Sequence, residues 1–314
     1  MEEVWPLLPF EPWRDTAMTL QLWTQVVGKI RLASTPWLNH SWQVPLYVTV
    51  RGLATSPIPN GHESVDLEFD FIDHSLVGRS SNGTVAEFSL RPMPVAEFYH
   101  SALSLTRQLG MSITINPVPN ELPSPIAFPD DQLHRVYDAQ AVHRFWRALL
   151  QADRLFKHFR TAFLGKASPV HFFWGSFDLA VTRFSGRTAP RHPGGVPGLP
   201  DRVTREAYSH EVSSAGFWPG SDQFPHAAFY SYAYPQPEGF AQAKMPPGAA
   251  YEAALGEFLL PYDTVRAASD PDALVMDFLQ ASYAAAATLG KWDRNALECA
   301  LGAPNRPRRV GGFL

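Results

Sequence analysis

The sequence predicts an α+β protein made of two similar halves, each with the order α-β-β-β-β-α and with antiparallel sheets flanked by helices. Three observations lead to this prediction. Short segments alternate between apolar and polar residues, longer segments space apolar residues as helices do, and similar segments recur in the same order in both halves. The chain has 314 residues, of which 45% are hydrophobic and 18% charged, so it has enough apolar material for two cores.

The first half is predicted to begin and end with a helix. Residues 19–32 and residues 95–109 space their apolar side chains at helical intervals, and Gly110 is placed to end the second helix. This helix follows prolines, which commonly stand at a helix start because they lack the backbone N–H that would have no partner there.

The strands of the first half lie between these two helices. In residues 64–71 every second side chain is apolar, which is typical of an antiparallel strand with one exposed face. Two further strands are predicted after residues 64–71, and the pair Asn82-Gly83 predicts a tight turn between them. Further strands are predicted at residues 43–54 and, as a short final one, at residues 112–119.

The second half repeats this order of elements. A long helix is predicted over residues 139–163, and a last helix begins after the Asp270-Pro271 cap and ends at Gly290. The strands between them are predicted at residues 171–184, 206–214, 227–234 and 253–260.

Four pairs of segments match in the same order along the two halves. They are residues 40–59 with 171–190, 63–70 with 206–213, 86–90 with 256–260, and 95–110 with 275–290. An ancient duplication accounts for all four matches; the alternative is that amphipathic helices and strands align this well by chance. The duplication divides the chain into an N-terminal half, residues 1–130, and a C-terminal half, residues 131–314.

Composition narrows the classes of function. The net charge of -4 gives no basic footprint for nucleic acid. The single cysteine, Cys299, excludes an internal disulfide and a cysteine-based zinc cluster. No segment reaches 18 uninterrupted apolar residues, and the acidic, proline-broken start does not resemble a signal peptide. We therefore expect a soluble, cytoplasmic protein without a membrane partner, whose oligomeric state the sequence does not indicate.

The densest apolar segment, residues 169–184, contains three polar residues that are candidates for function. In a regular strand His171 and Asp178 point to opposite faces, and a bulge at Gly175 would bring them together. In the internal alignment Asp178 and Arg183 stand opposite Tyr47 and Gly52, so both are specific to the second half.

One interpretation is an enzyme that acts on a small polar molecule with a divalent metal ion. His210 stands opposite an apolar residue in the alignment, and it is the simplest metal ligand to combine with His171 and Asp178. Asp178, His210 and Glu211 are then the candidate catalytic residues. The alternative for His210 is a core histidine that is hydrogen-bonded to a neighbouring strand.

The other interpretation is a non-catalytic protein that binds a small molecule in an aromatic pocket of the second half. Its arginine clamp for an anion would be Arg183 or an arginine of the Gly- and Pro-rich loop 185–205, which has the length of a lid. The candidate pocket residues are Trp174, Trp218, Tyr230 and Tyr232, although strands favour such side chains anyway. The basic C-terminal residues 305–314 are expected to form a flexible tail.

Four segments carry a resemblance to a known family: WPLLPFEPWRDT, HFFWGSFDLAVTRFSGR, YSHEVSSAGFWPG and FYSYAYP. Through them the chain resembles a mainly bacterial family catalogued as a domain of unknown function, number 5996, over nearly its whole length. The resemblance implies a complete stand-alone protein. It supplies no activity, cofactor or catalytic residues.

Overall fold

The computed structural model describes residues 3–307 and confirms the α+β class, with antiparallel sheets and flanking helices. The chain forms two compact units. Unit 1 contains the residues up to Leu150 with His171–Asp178 and Pro193–Ala207; unit 2 contains Gln151–Val170, Leu179–His192 and the residues from Tyr208 onward. The division into an N-terminal half, residues 1–130, and a C-terminal half, residues 131–314, describes the inferred duplication, and it stays a prediction. The predicted tail lies outside the described residues from position 308 onward.

The first part of the chain forms an antiparallel sheet with the strand order β1-β2-β4-β5-β6, and β3 pairs with β4. Its elements, in chain order, are α1 (Phe10–Ser34), β1 (Tyr47–Val48), β2 (Gly52–Ala54), β3 (Ile58–Asn60), β4 (Glu63–Asp70), β5 (Ser75–Ser80), β6 (Val85–Ser89), α2 (Val95–Gln108) and α3 (Ala139–Arg160). Gly83 has a φ of 93° in the turn between β5 and β6, so the predicted tight turn is confirmed. Gly110 has a φ of 78° directly after α2, so the predicted end of that helix is also confirmed.

Within unit 2 the strands follow the order β11-β12-β10-β9-β8. The remaining elements are β7 (His171–Phe173), β8 (Asp178–Thr188), α4 (Asp201–Ala207), β9 (His210–Trp218), β10 (Ala228–Tyr234), β11 (Ala250–Glu252), β12 (Glu257–Pro261), α5 (Tyr262–Ala267), α6 (Pro271–Leu289) and α7 (Arg294–Leu297). The side chain of Asp270 accepts a hydrogen bond from the N–H of Ala273, as expected for the cap of α6.

Both units contain the same strand meander. Successive antiparallel pairs join β2-β4-β5-β6 in one and β8-β9-β10-β12 in the other. The matched segments 86–90 and 256–260 lie on the last strand of each meander, and 95–110 and 275–290 lie on the helices α2 and α6. This common order is consistent with the predicted duplication.

Besides the strand predicted at residues 171–184, which a turn divides into β7 and β8, three details of the predicted elements are wrong. Glu206 lies in helix α4, so β9 begins at His210, and the match of Glu206 with Glu63 of β4 fails. Of the strand predicted at residues 253–260, residues 253–256 form the turn between β11 and β12, with Gly256 at a φ of 73°, and only the residues from Glu257 onward are strand. Residues 112–119, all within the described part of the chain, form no strand.

The physical reason for the missing strand is that helix α1 binds the backbone of this segment. Lys29 donates to the carbonyl oxygen of Val118 at 2.8 Å, and Gln25 exchanges hydrogen bonds of 2.9 and 2.7 Å with the backbone of Asn120. Both side chains are buried, and burial lowers the pKa of Lys29 to about 8. These side chains satisfy the backbone groups that a neighbouring strand would otherwise pair.

Among the described residues, no helix combines the length and apolarity that a membrane crossing requires.

Gly28 of α1 allows Trp174 to pack against the helix. A Cβ atom at Gly28 would overlap the indole ring of Trp174, whose Nε1 donates to the carbonyl oxygen of Val44 at 3.0 Å.

Alanine gains about 1 kcal/mol of helix preference over glycine, but overpacking a core costs about 1–3 kcal/mol. We expect Gly28→Ala to lower the free energy of unfolding by about 1–2 kcal/mol in urea titrations. The loss should be smaller when Gly28→Ala is made in a Trp174→Leu variant, which lacks the indole ring. An equal loss of unfolding free energy in that variant would contradict this explanation.

Candidate functional site

The apolar segment 169–184 is interrupted by a turn. Strand β7 ends at Phe173, and β8 begins at Asp178. Between them the chain turns back with Phe177 at a φ of 60°, and the N–H of Phe177 donates to the carbonyl oxygen of Phe173 at 2.8 Å. Gly175 therefore lies in this turn, and the alternation that separated His171 from Asp178 does not extend across it.

The predicted metal ligands are divided between the units. His171 and Asp178 belong to unit 1, whereas His210 belongs to unit 2. His171 is buried, with its ring 5.5 Å from Tyr47 and 6.0 Å from Trp42, measured between centroids. Within residues 3–307, no group of three or more His, Cys, Asp or Glu side chains is arranged to hold a metal ion. The structure gives no support to the metal site.

Glu211 of β9 binds two side chains of β8, and one of them, Arg187, also contacts the backbone at the end of helix α6. Glu211 accepts hydrogen bonds from Ser185 at 2.8 Å and from two nitrogens of Arg187 at 2.6 and 3.0 Å. Arg187 also donates to the backbone carbonyl oxygens of Gly290 and Lys291. His210 is half-buried, with Nδ1 3.0 Å from Ser209 Oγ. These contacts show that the Glu211 carboxylate is already engaged by Ser185 and Arg187, and its catalytic role stays a prediction.

Arg183 is enclosed in an aromatic cage. Its side chain is 1% exposed, and its guanidinium carbon lies 3.5, 4.3 and 5.1 Å from the ring centroids of Phe159, Tyr283 and Phe163. It donates to the carbonyl oxygen of Phe159, and burial lowers its pKa to about 10. Such a buried guanidinium is out of reach of an anion in solvent. Of the loop arginines, Arg205 pairs with Asp201 at 2.9 Å.

The predicted aromatic residues of unit 2 lie mostly in packed surroundings. Tyr230 is buried, and its ring occupies the space where a Cβ of Gly216 would lie. The hydroxyls of Tyr232 and Tyr208 are 2.8 Å apart, and burial raises the pKa of Tyr232 well above its ordinary value. The ring of Trp218 lies 6.2 Å from that of Phe224.

A small pocket in unit 2 is lined by residues of β9, β10 and α6. Its volume is about 110 Å³, and its lining residues include Glu211, Tyr234, Pro235, Ala286 and Trp292. Sites for small molecules usually measure about 300–1,000 Å³. This pocket is therefore too small for a typical ligand, and of the predicted site residues it includes only Glu211.

Unit 1 contains a larger cavity that the sequence did not indicate. It is open to solvent, measures about 370 Å³ and is lined by residues that are all partly or fully exposed: His74, Ala139, Gln140, His143 and Arg144. Its volume falls within the usual range for small-molecule sites. We call it the histidine cavity.

The turn between β4 and β5 positions His74 at this cavity. The carboxylate of Asp70 accepts the backbone N–H groups of Ile72 and Asp73 at 2.9 and 3.0 Å, and His74 follows at a φ of 50°. The Nδ1 atom of His74 lies 2.8 Å from the hydroxyl of Tyr137. Burial, reinforced by repulsion from His143, lowers the pKa of His74.

The start of helix α3 supplies the other polar side chains. Gln140, His143 and Arg144 are three and four positions apart, a spacing that places them on one face of the helix. The carboxylate of Asp138 accepts the N–H groups of Gln140 and Ala141 at 2.9 and 3.1 Å. Within the described part of the chain, Arg144 has no ion pair and no side-chain hydrogen bond.

A half-buried carboxyl group, Glu121, was also missed by sequence reasoning. Its side chain lies against Gly175, where a Cβ atom would overlap the carboxyl. Burial, with added repulsion from Asp178, raises the pKa of Glu121 to about 7. The hydroxyl of Ser176 donates to the carboxylate of Asp178. The ionisable neighbour of Asp178 is thus Glu121, a loop residue of unit 1, rather than one of the predicted histidines.

Little in the sequence pointed to these residues. His143 and Arg144 look like ordinary polar positions of an amphipathic helix, and His74 is a single histidine in a turn. Glu121 lies in a proline-rich loop without periodicity. Long-range contacts, which a single sequence does not reveal, bring each of them into its surroundings.

Comparison with known proteins adds one finding. No curated protein and no solved structure matches the chain. A family model described as a family of unknown function, DUF5996, matches residues 5–299. This match covers nearly the whole chain and agrees with the resemblance carried by the four sequence segments, so the chain belongs to the DUF5996 family.

Proposed function

We propose that this protein binds a small molecule in the histidine cavity. The observation that carries the proposal is an open hollow of about 370 Å³, whose lining includes four polar side chains from the β4–β5 turn and the start of α3. Concave sites with a few directed polar groups are where proteins hold small ligands. One of these groups, His74, has a perturbed pKa, which is a further property of functional sites.

A binding protein fits the other observations better than a metal-dependent enzyme does. The described residues bring no set of metal ligands together. Arg183 is occupied by its aromatic cage, and Glu211 by Arg187 and Ser185. Our proposal therefore places the small-molecule partner expected from the sequence in unit 1 rather than in the second half.

The test is a substitution that fills the cavity. Ala139 lines the cavity in the first turn of α3, so Ala139→Trp should occupy its volume without changing its charge. Ala273 is exposed in the first turn of α6, which makes Ala273→Trp the matched control. A library of small metabolites is screened by thermal shift, and hits are measured by calorimetry.

We expect hits whose affinity falls at least tenfold in Ala139→Trp and is unchanged in Ala273→Trp. Hits that bind both variants as tightly as the wild type would place the ligand site elsewhere and contradict the proposal.

A further inference from the structure

We infer that the histidine cavity takes a small organic anion, a carboxylate or a phosphate ester, held by Arg144 together with the imidazoles of His74 and His143. The inference rests on the proposed function and deepens it by naming the class of ligand. The lining residues of the cavity include Gln140 and Ala139 but no aspartate or glutamate.

The acidic side chains near the cavity already have partners. Asp70 and Asp73 both pair with Arg51, the latter at 2.5 Å, and Asp70 also accepts two backbone N–H groups. Asp138 is engaged by the first N–H groups of α3. The carboxylates that could balance a cationic side chain in the cavity are therefore committed elsewhere.

Arg144 differs from the other arginines of this region in lacking such a partner. Arg51 and Arg79 each pair with carboxylates, Arg79 with Glu68 at 2.9 Å. Arg144 has no comparable contact within the described residues. A guanidinium offers planar pairs of N–H donors that match carboxylate and phosphate oxygens, so an anion is the natural complement of this site.

The histidines point to the same class of ligand. Burial lowers the pKa of His74, repulsion from His143 lowers it further, and Asp70 and Asp73 oppose both effects. Tyr137, the hydrogen-bond partner of His74, adds a neutral hydroxyl. A cationic ligand would add a further positive charge beside these groups, whereas an anion would relieve their repulsion.

The N–H groups at the start of α3 do not make this site, because Asp138 already accepts two of them. The ligand must instead be held by side chains. The volume of about 370 Å³ is near the lower end for small-molecule sites, which favours a compact anion.

The test is calorimetry in a buffer free of phosphate and carboxylates. The probes are inorganic phosphate and succinate, with neutral glycerol and cationic choline as comparators. The variants are Arg144→Gln and Arg144→Lys, and Arg107→Gln of helix α2 is the control because Arg107 is exposed and has no ion pair among the described residues. Matching thermal unfolding profiles establish that the variants are folded.

We expect at least one anion to bind, with an affinity at least tenfold lower in Arg144→Gln, partly restored in Arg144→Lys and unchanged in Arg107→Gln. Tighter binding of phosphate would identify a phosphate ester as the ligand class, and tighter binding of succinate a carboxylate. Absence of binding by both anions, or equal affinity in Arg144→Gln, would overturn the inference.

The proposed function can survive that failure. If glycerol, choline or a screened neutral compound binds the wild type and loses affinity in Ala139→Trp but not in Arg144→Gln, the cavity is a ligand site and its ligand is not an anion. If anions bind but Ala139→Trp leaves their affinity unchanged, both proposals fail.

Discussion

Replacing Arg183 by alanine is expected to lower the free energy of unfolding by about 3 kcal/mol. The change empties the centre of a cage formed by Phe159, Phe163 and Tyr283, and truncating a large core side chain typically costs about 2–5 kcal/mol. It also removes cation–π contacts worth about 2 kcal/mol or more when desolvated. Relief of the buried charge offsets part of this loss, since burial already lowers the pKa of Arg183 to about 10.

A comparison with Arg183→Met separates packing from charge. Two guanidinium nitrogens of Arg183, Nε and Nη1, are buried without a hydrogen-bond partner, so the charge is only partly compensated. Methionine keeps much of the volume and contacts aromatic rings through its sulfur. We expect Arg183→Met to recover at least half of the stability lost in Arg183→Ala, measured by denaturant titration. Equal losses in both variants would show instead that the cation itself holds the cage together.

Glu121 is expected to make the protein less stable at pH 8 than at pH 5. Its pKa is about 7 in the folded protein and near 4.5 when the chain is unfolded, so between these values the folded state binds the additional proton. The stabilisation is complete below pH 4.5 and is lost as the pH rises to about 7. At about 1.4 kcal/mol per unit of pKa difference, the loss is about 3 kcal/mol.

Glu121→Gln tests this directly, because glutamine resembles the protonated carboxyl at every pH. The variant should be about 2–3 kcal/mol more stable than the wild type at pH 8 and nearly equal to it at pH 4.5, with a flatter pH dependence between. Glu87→Gln, which removes an exposed carboxylate on β6, serves as the control. If both variants show the same pH dependence as the wild type, Glu121 is ionised in the folded protein at neutral pH and our description of its surroundings is wrong.

The fold was predictable where local signals were strong. Helices α2 and α6 follow from apolar spacing, and their ends follow from Gly110 and the Asp270 cap. The prediction failed where side chains from distant segments decide the backbone. Buried Gln25 and Lys29 of α1 bind residues 118–120 and keep that segment out of a sheet, and neither residue looks unusual in the sequence.

The candidate site was less predictable than the fold for the same reason. Asp178 was identified from its unusual position in an apolar segment, but its acidic neighbour Glu121 comes from a loop more than fifty positions away. Arg183 stood out as a charge in a strand, and only the packed structure shows the rings that enclose it. His74 and Arg144 gave no signal, because a turn histidine and a helical arginine are common surface residues.

The most direct test of an anion in the histidine cavity is the pKa of His74, followed by NMR of the histidine side chains over a pH series. A His74→Gln variant assigns the resonance, and the series is recorded with and without saturating succinate or phosphate. In the free protein we expect a pKa below the ordinary value, because of burial and repulsion from His143. A bound anion should raise it by favouring the charged imidazole. An unchanged pKa of His74 under conditions where calorimetry shows the anion bound would place the anion elsewhere and contradict the account.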